Sequence, residues 1–212
     1  MQLNKKNERV SPSTISAICA IIILIGGFFL SYNYIQSKKI IAYDYMASVF
    51  YNGNELVVGT DDNNVRENET AVEDINVTNE YIGYLNIPKI NLNKGFLSQK
   101  APDNNVEKNI TVIAGSTYPN VDKGNLIIAG HSGTGWKAFF NDLYKLNIGD
   151  IAKVTFRGKT YTYKITNIYT QEKVGTIAIY RDYDKTTLTL VTCTNNSSTT
   201  QTIYIAELES VE

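Results

Sequence analysis

Apolar and polar positions divide the chain into three stretches. From Thr14 to Tyr34 there is no charged residue, and the polar exceptions are few and small: Thr14, Ser16, Ser31 and Asn33. About 20 residues rising 1.5 Å each span roughly 30 Å, the hydrocarbon thickness of a bilayer. The run therefore predicts a membrane-spanning helix over residues 14–35, with Tyr32 and Tyr34 at the level of an interfacial belt. Ile41, Tyr45 and Val49 continue at helical spacing, which predicts that Ile40–Phe50 extends this helix by a few turns. The second stretch, Asn52–Glu80, is rich in Asn, Asp, Glu and Gly and has no sustained period, so it reads as a solvated spacer.

The third stretch begins at Tyr81. Its apolar runs are short, β-branched and aromatic, and turn residues separate them: Tyr81–Ile87, Ile110–Ala114, Asn125–Ala129, Ile151–Phe156, Thr160–Tyr169, Thr186–Thr192 and Thr202–Leu208. This spacing predicts an all-β barrel or sandwich. Trp136, Phe139, Phe140 and Leu143 recur at i, i+3, i+4 and i+7, which predicts one short amphipathic helix between two strands. The expected organisation is a cytoplasmic terminus (residues 1–13), a span (14–35), a stalk (36–80) and a domain (81–212). About 130 residues suffice for one sizeable core.

Charge orients the span. Lys5, Lys6 and Arg9 precede it, while Lys38 and Lys39 follow it, a slight positive-inside bias that puts the N-terminus in the cytoplasm. The alternative is a cleaved signal peptide with Lys5, Lys6 and Arg9 as its basic flank, but the run is long for an h-region and no small-x-small site follows. A buried soluble helix would show a polar stripe. The expected location is thus a single-pass membrane protein with its domain outside. Lys+Arg 20 against Asp+Glu 21 gives a net charge of −1, which offers no basic excess for nucleic acid. Two Cys and one His build neither a Cys-rich zinc module nor a disulfide scaffold.

Cys19 lies in the span, so Cys193 is the one thiol of the domain. In an exported domain an unpaired Cys is free and reactive, bridged between molecules, or buried and inert. Strand alternation puts Leu188, Leu190 and Thr192 on one face and Thr187, Thr189, Val191 and Cys193 on the other, with a polar loop after Cys193. His131 ends another apolar run, Asn125–Ala129, and is flanked by Gly130 and Gly133. A lone loop His is commonly a solvated surface residue; here it shares with Cys193 a place at a strand end. A thiol of ordinary pKa is only a few per cent thiolate at pH 7, and an adjacent imidazolium favours the anion and can protonate a leaving amine. The pair therefore suggests acyl transfer through a thioester.

Thr189-Leu190-Val191-Thr192-Cys193 resembles the sortase signature Thr-Leu-x-Thr-Cys, and Leu126–His131 is similar to that family's strand ending in its catalytic His. Tyr81–Ile90 resembles the first strand of the sortase barrel, and Lys145–Asp150 matches the segment after the family's helix. The resemblance runs from about Tyr81 to Leu208. It implies an eight-stranded β-barrel and a cysteine transpeptidase outside the membrane. Such an enzyme cleaves an LPXTG-type sorting signal, holds a thioacyl-enzyme, and passes the protein to an amine of a peptidoglycan precursor or a pilin. On that reading Cys193 is the nucleophile and His131 the acid/base, with Thr192, Ala129 and Arg181 as candidate substrate contacts.

The resemblance breaks at one point. Aligning Ile203–Leu208 with the family's last strand puts Gln201 where a catalytic Arg is expected, and no Arg follows Arg181. Gln201, Ile203 and Ile205 share a face that is expected to point inward. Gln donates hydrogen bonds without charge or a guanidinium fork, and losing one oxyanion donor costs roughly 10²–10³ in rate. Three readings follow: a sortase that uses Gln201, one in which Arg181 substitutes, or a sortase-fold protein that binds without turnover. An L,D-transpeptidase is a further rival, although Val191–Thr194 does not match that family's Ser-x-Gly-Cys motif. Glu172, Asp182 and Asp184 show no ligand spacing, so neither a metal nor another cofactor is expected.

Overall fold

The computed structural model describes residues 12–53, 80–133 and 135–212. Most of the expected spacer, Asn52–Glu80, and most of the expected cytoplasmic terminus lie outside the described residues. Helix α1 runs over Pro12–Gly53, so Ile40–Phe50 continues the apolar helix as its spacing predicts. Within it Ser13–Gln36 is long and apolar enough to cross a membrane. Ile15, Ile22, Leu24, Phe28 and Leu30 project from several sides of the helix and are exposed. A helix that is apolar all round is built for an apolar surround. The chain up to Ile41 and the chain from Ala42 onward, which includes the end of α1, form separate compact units.

The β domain holds eight strands: β1 Tyr81–Ile87, β2 Leu92–Leu97, β3 Thr111–Val112, β4 Asn125–Ala129, β5 Ile151–Phe156, β6 Lys159–Glu172, β7 Thr187–Cys193 and β8 Thr200–Val211. They form one sheet in the order β2-β1-β5-β6-β8-β7-β4-β3. Its end strands β2 and β3 approach each other, so the sheet nearly closes into a barrel. All pairings are antiparallel except β4 with β7, which run parallel. Strand β5 shows the alternation most plainly: Ala152, Val154 and Phe156 are buried while Ile151, Lys153 and Thr155 are half-exposed.

Two apolar layers result. Leu85, Ile87, Phe96, Leu126, Ile128, Phe156, Tyr163, Leu188, Leu190 and Tyr204 fill the barrel interior. On the opposite sheet face Ile127, Val191, Ile203 and Ile205 make a second cluster, covered by Ala129, Tyr169, Ile177 and Ile179. The face shared by Gln201, Ile203 and Ile205 is therefore the outer one, and the expectation that Gln201 points inward is corrected: β8 gives Tyr204 and Ala206 to the interior and the Ile203/Ile205 face to the second layer.

Three expected elements differ. Strand β2 is absent from the periodicity because Lys94 and Gly95 take two of its four buried positions, beside Phe96 and Leu97. The Lys94 ammonium lies 4.3 Å from the Phe139 ring centroid. A Cβ on Gly95 would stand 2.2 Å from the Tyr81 ring, so only the glycine backbone fits there. Strand β3 keeps only Thr111–Val112 of the expected Ile110–Ala114. The amphipathic helix expected from Trp136 to Leu143 is instead a run of turns ending in a 3-10 helix, Leu143–Lys145. The Phe140 N–H is captured by the His131 carbonyl at 2.9 Å, and the neighbouring bonds run three residues back, as from Asn141 to Ala138 and Leu143 to Phe140. Three-residue spacing still brings Phe140 and Leu143 to one side, where both are buried.

Candidate active site

Parallel strands β4 and β7 pair residue for residue from Asn125↔Thr187 to Ala129↔Val191. The Gly130 N–H continues the ladder with a 3.1 Å bond to the Val191 carbonyl. Cys193 ends β7 and His131 follows the end of β4, each two residues beyond the Ala129↔Val191 pair, so the two stand at the same level along the sheet; within β7, Cys193 shares the face of Val191. Two hydroxyls tie the strand ends together. Buried Thr192 donates to the Gly130 carbonyl at 2.8 Å, and Ser132 donates to the Cys193 carbonyl at 2.8 Å. Gly130 has to be a glycine, since a Cβ there would lie 2.9 Å from the Phe140 ring.

Strand β8 supplies the third side chain. Cys193 pairs directly with Gln201, which in turn pairs with Gln171 of β6. Directly opposed residues of an antiparallel ladder share a face, so Gln201 and Cys193 stand side by side at the open end of the outer apolar strip. In this state the Gln201 amide donates to the Thr176 carbonyl at 3.4 Å. Gln171 donates to the same carbonyl at 3.3 Å and accepts from the Ala178 N–H at 3.2 Å. The Tyr169 hydroxyl donates to the Ala178 carbonyl at 2.7 Å and accepts from the Tyr180 N–H at 3.0 Å. Residues 176–180 are thus held over the sheet by side chains of β6 and β8, with Ile177 and Ile179 packed on the outer cluster.

The Cys193 thiol is half-exposed and free. The imidazole of His131 bonds through Nε2 to Glu107 Oε1 at 3.0 Å, with side-chain exposures of 37% and 69%. The thiol and the ring share no hydrogen bond in this arrangement. A soft nucleophile, an imidazole and a neutral amide donor thus meet at the end of an apolar strip, a set suited to acyl transfer.

Arg181 is not brought to this cluster. Its guanidinium donates to the carbonyls of Lys123, Gly124 and Lys185 and to the Thr187 hydroxyl, at 3.1–3.3 Å, and stacks on the Tyr183 ring. Thr187 begins β7 and Cys193 ends it, which separates Arg181 from the thiol by about six residues of strand, roughly 20 Å. Its cationic fork knots the opposite end of the barrel. Ala129 lies on the outer face beside Val191, while Thr192 turns its hydroxyl to Gly130. Glu107, Ser132 and Gln171 escape the sequence reading. Glu107 stands 24 positions from His131 in a polar loop with no periodicity, and nothing local marks it.

No curated protein sequence matches the chain. Among solved structures it is similar to a Sortase D5 transpeptidase of Clostridium perfringens, at 29% identity over 62% of this chain and 80% of that one, with a TM-score of 0.53. It is similar to sortase C1 of Streptococcus agalactiae at 27% identity over 66% and 71%, with a TM-score of 0.53. Sortase A of Corynebacterium diphtheriae, at 22% identity over 62% of each chain and a TM-score of 0.55, shares the fold. The Sortase domain family matches residues 85–209, more than half of the 212, and with the barrel order and the paired strand ends this places the chain in the sortase family.

Proposed function

We propose that the chain is a membrane-held cysteine transpeptidase that cleaves an LPXTG-type sorting signal and transfers the protein to an amine. The observation that carries this is the register of β4, β7 and β8, which sets His131, Cys193 and Gln201 together at one end of an apolar strip. The Cys193 thiolate attacks the carbonyl of the scissile bond. As the C–N bond breaks, the leaving amine takes a proton from the His131 imidazolium and a thioester remains. An incoming amine then attacks the thioester, gives its proton to His131, and expels the thiolate. Gln201 contributes a neutral hydrogen bond to the developing oxyanion. Thr192 aligns the strand ends, and Ala129 contributes outer-face surface to the substrate. Helix α1 anchors the enzyme, with the β domain outside the cell, where surface proteins and peptidoglycan precursors or pilins are met.

A second reading draws on the Gln201 amide, which is engaged by Thr176. With one of that amide's two N–H groups held by the 176–180 segment and no Arg in its place, the domain would capture sorting signals without turning them over. Incubating the detergent-solubilised protein with an LPXTG-type peptide, with and without an amine acceptor, and following intact mass separates the two. A Cys193-dependent acyl adduct that converts to amide product supports the enzyme. Binding without an adduct, with turnover restored by Gln201→Arg, supports the silent domain, and absence of both in either protein refutes the LPXTG assignment.

A further inference from the structure

Glu107 sits in the loop between β2 and β3, and this loop is pinned independently of the active site. The Asn104 amide donates to the carbonyls of Gln99 and Val112 at 3.1 and 2.9 Å, and its oxygen accepts from the Thr111 hydroxyl and the Val112 N–H. Buried Asn109 donates to the Gly95 carbonyl at 2.9 Å. The Glu107 N–H itself donates to Asn105 Oδ1 at 2.8 Å. The adjacent cation, Lys108, is taken by Asp103, so the Glu107 carboxylate is left to the imidazole.

An ionised carboxylate only accepts, so the ring nitrogen facing it, Nε2, carries the hydrogen. Nδ1 is then the nitrogen available for proton exchange, and the ring cannot turn without breaking the bond. We propose that Glu107 is the positioning residue of His131: it fixes ring orientation and tautomer so that Nδ1 presents to the amine of the scissile or incoming group. The proposal rests on the acid/base reading of His131. The pair is exposed, so the effect is through orientation, and a rate loss of about fivefold is expected rather than a collapse.

The test uses the full chain in detergent micelles with an LPXTG-type peptide and a glycine amide acceptor. Glu107→Ala is expected to lower kcat about fivefold with KM unchanged within twofold. Glu107→Gln, whose side-chain oxygen still accepts from Nε2, is expected to keep kcat within twofold. Because His131 is the only His, ¹⁵N-histidine labelling reports its ring alone. The two ring ¹⁵N shifts are expected to show a protonated Nε2 and an unprotonated Nδ1 in the neutral ring of the wild type and of Glu107→Gln, and a mixture of tautomers in Glu107→Ala. Full kcat in Glu107→Ala beside an inactive His131→Ala overturns the proposal alone, as does equal loss in the Ala and Gln variants with KM raised. A wild type without turnover, or full turnover in His131→Ala, overturns the acid/base reading and the proposal with it.

Discussion

Thr192→Val isolates the link between the two strands that carry the thiol and the imidazole. The side chain is 6% exposed and its hydroxyl gives a 2.8 Å bond to the Gly130 carbonyl, immediately before His131. Valine keeps the shape and removes the donor. The loss comprises one net hydrogen bond, about 1 kcal/mol, plus the cost of a buried carbonyl deprived of its partner, for a total of roughly 1–3 kcal/mol. Taking ~2 kcal/mol, and roughly 4 °C per kcal/mol for a domain of this size, Tm falls by about 8 °C. Trp136 is the single Trp, so its fluorescence can follow thermal unfolding of the β domain without interference. Thr189→Val is the matched control: Thr189 bonds Asn125 Oδ1 at 2.9 Å, but Thr187 donates to the same oxygen at 3.0 Å, so the acceptor keeps a partner. That control should cost under about 1 kcal/mol and leave turnover intact. Thr192→Val should also lose about tenfold in turnover per folded molecule, since small misplacements of reacting groups are costly. A Thr192→Val protein within ~0.5 kcal/mol of the wild type would refute the energetic argument. Lost stability with wild-type turnover would refute the claim that the link aligns the site.

Tyr163 is fully buried and its hydroxyl has no hydrogen-bond partner; burial also holds the phenol pKa well above its ordinary range. Tyr163→Phe should therefore stabilise the domain by about 1 kcal/mol, and a destabilised variant in urea unfolding would show that the hydroxyl is satisfied. Arg181→Ala should cost about 1–2 kcal/mol by freeing the carbonyls and hydroxyl it gathers, while turnover per folded molecule stays unchanged. A selective loss of kcat would return Arg181 to the active site. For Asp150, burial pushes the carboxyl pKa up, but the Lys89 hydrogen bond, the Asn147 N–H and the Lys89 charge together outweigh it, and the net shift is down. A carboxyl depressed in the folded state adds stability above its unfolded pKa, and this is lost as pH falls through the folded value. The gap between wild type and Asp150→Asn should thus be present at pH 7 and close in strongly acidic solution; a gap that persists there contradicts the assignment.

The parts legible in the sequence are those set by local pattern. Strands β1, β4 and β5 fall on the expected residues because alternation and flanking turn residues are local properties. β6 and β8 run beyond their expected ends, since backbone pairing between them continues past polar residues such as Gln171↔Gln201. Cys193 and His131 announce themselves by being the domain's only thiol and the chain's only imidazole, each at a strand end. The apolar run from Thr14 to Tyr34 states its helix by length and composition.

The remaining features depend on partners distant in the chain. Lys94 and Gly95 make a buried strand because an aromatic ring waits for each, Phe139 for the ammonium and Tyr81 for the bare backbone. The Trp136–Leu143 segment has helical spacing but loses its α-helix because the Phe140 N–H finds the His131 carbonyl. Arg181 stands only twelve residues before Cys193 in sequence, yet an extended strand carries it to the far end of the barrel. Glu107 reaches His131 through a loop whose anchoring Asn side chains carry no periodic signal. A sequence fixes the spacing of side chains along one strand or turn; which carbonyl, ring or carboxylate each then meets is set by strand order and register, and these exist only once the sheet has closed.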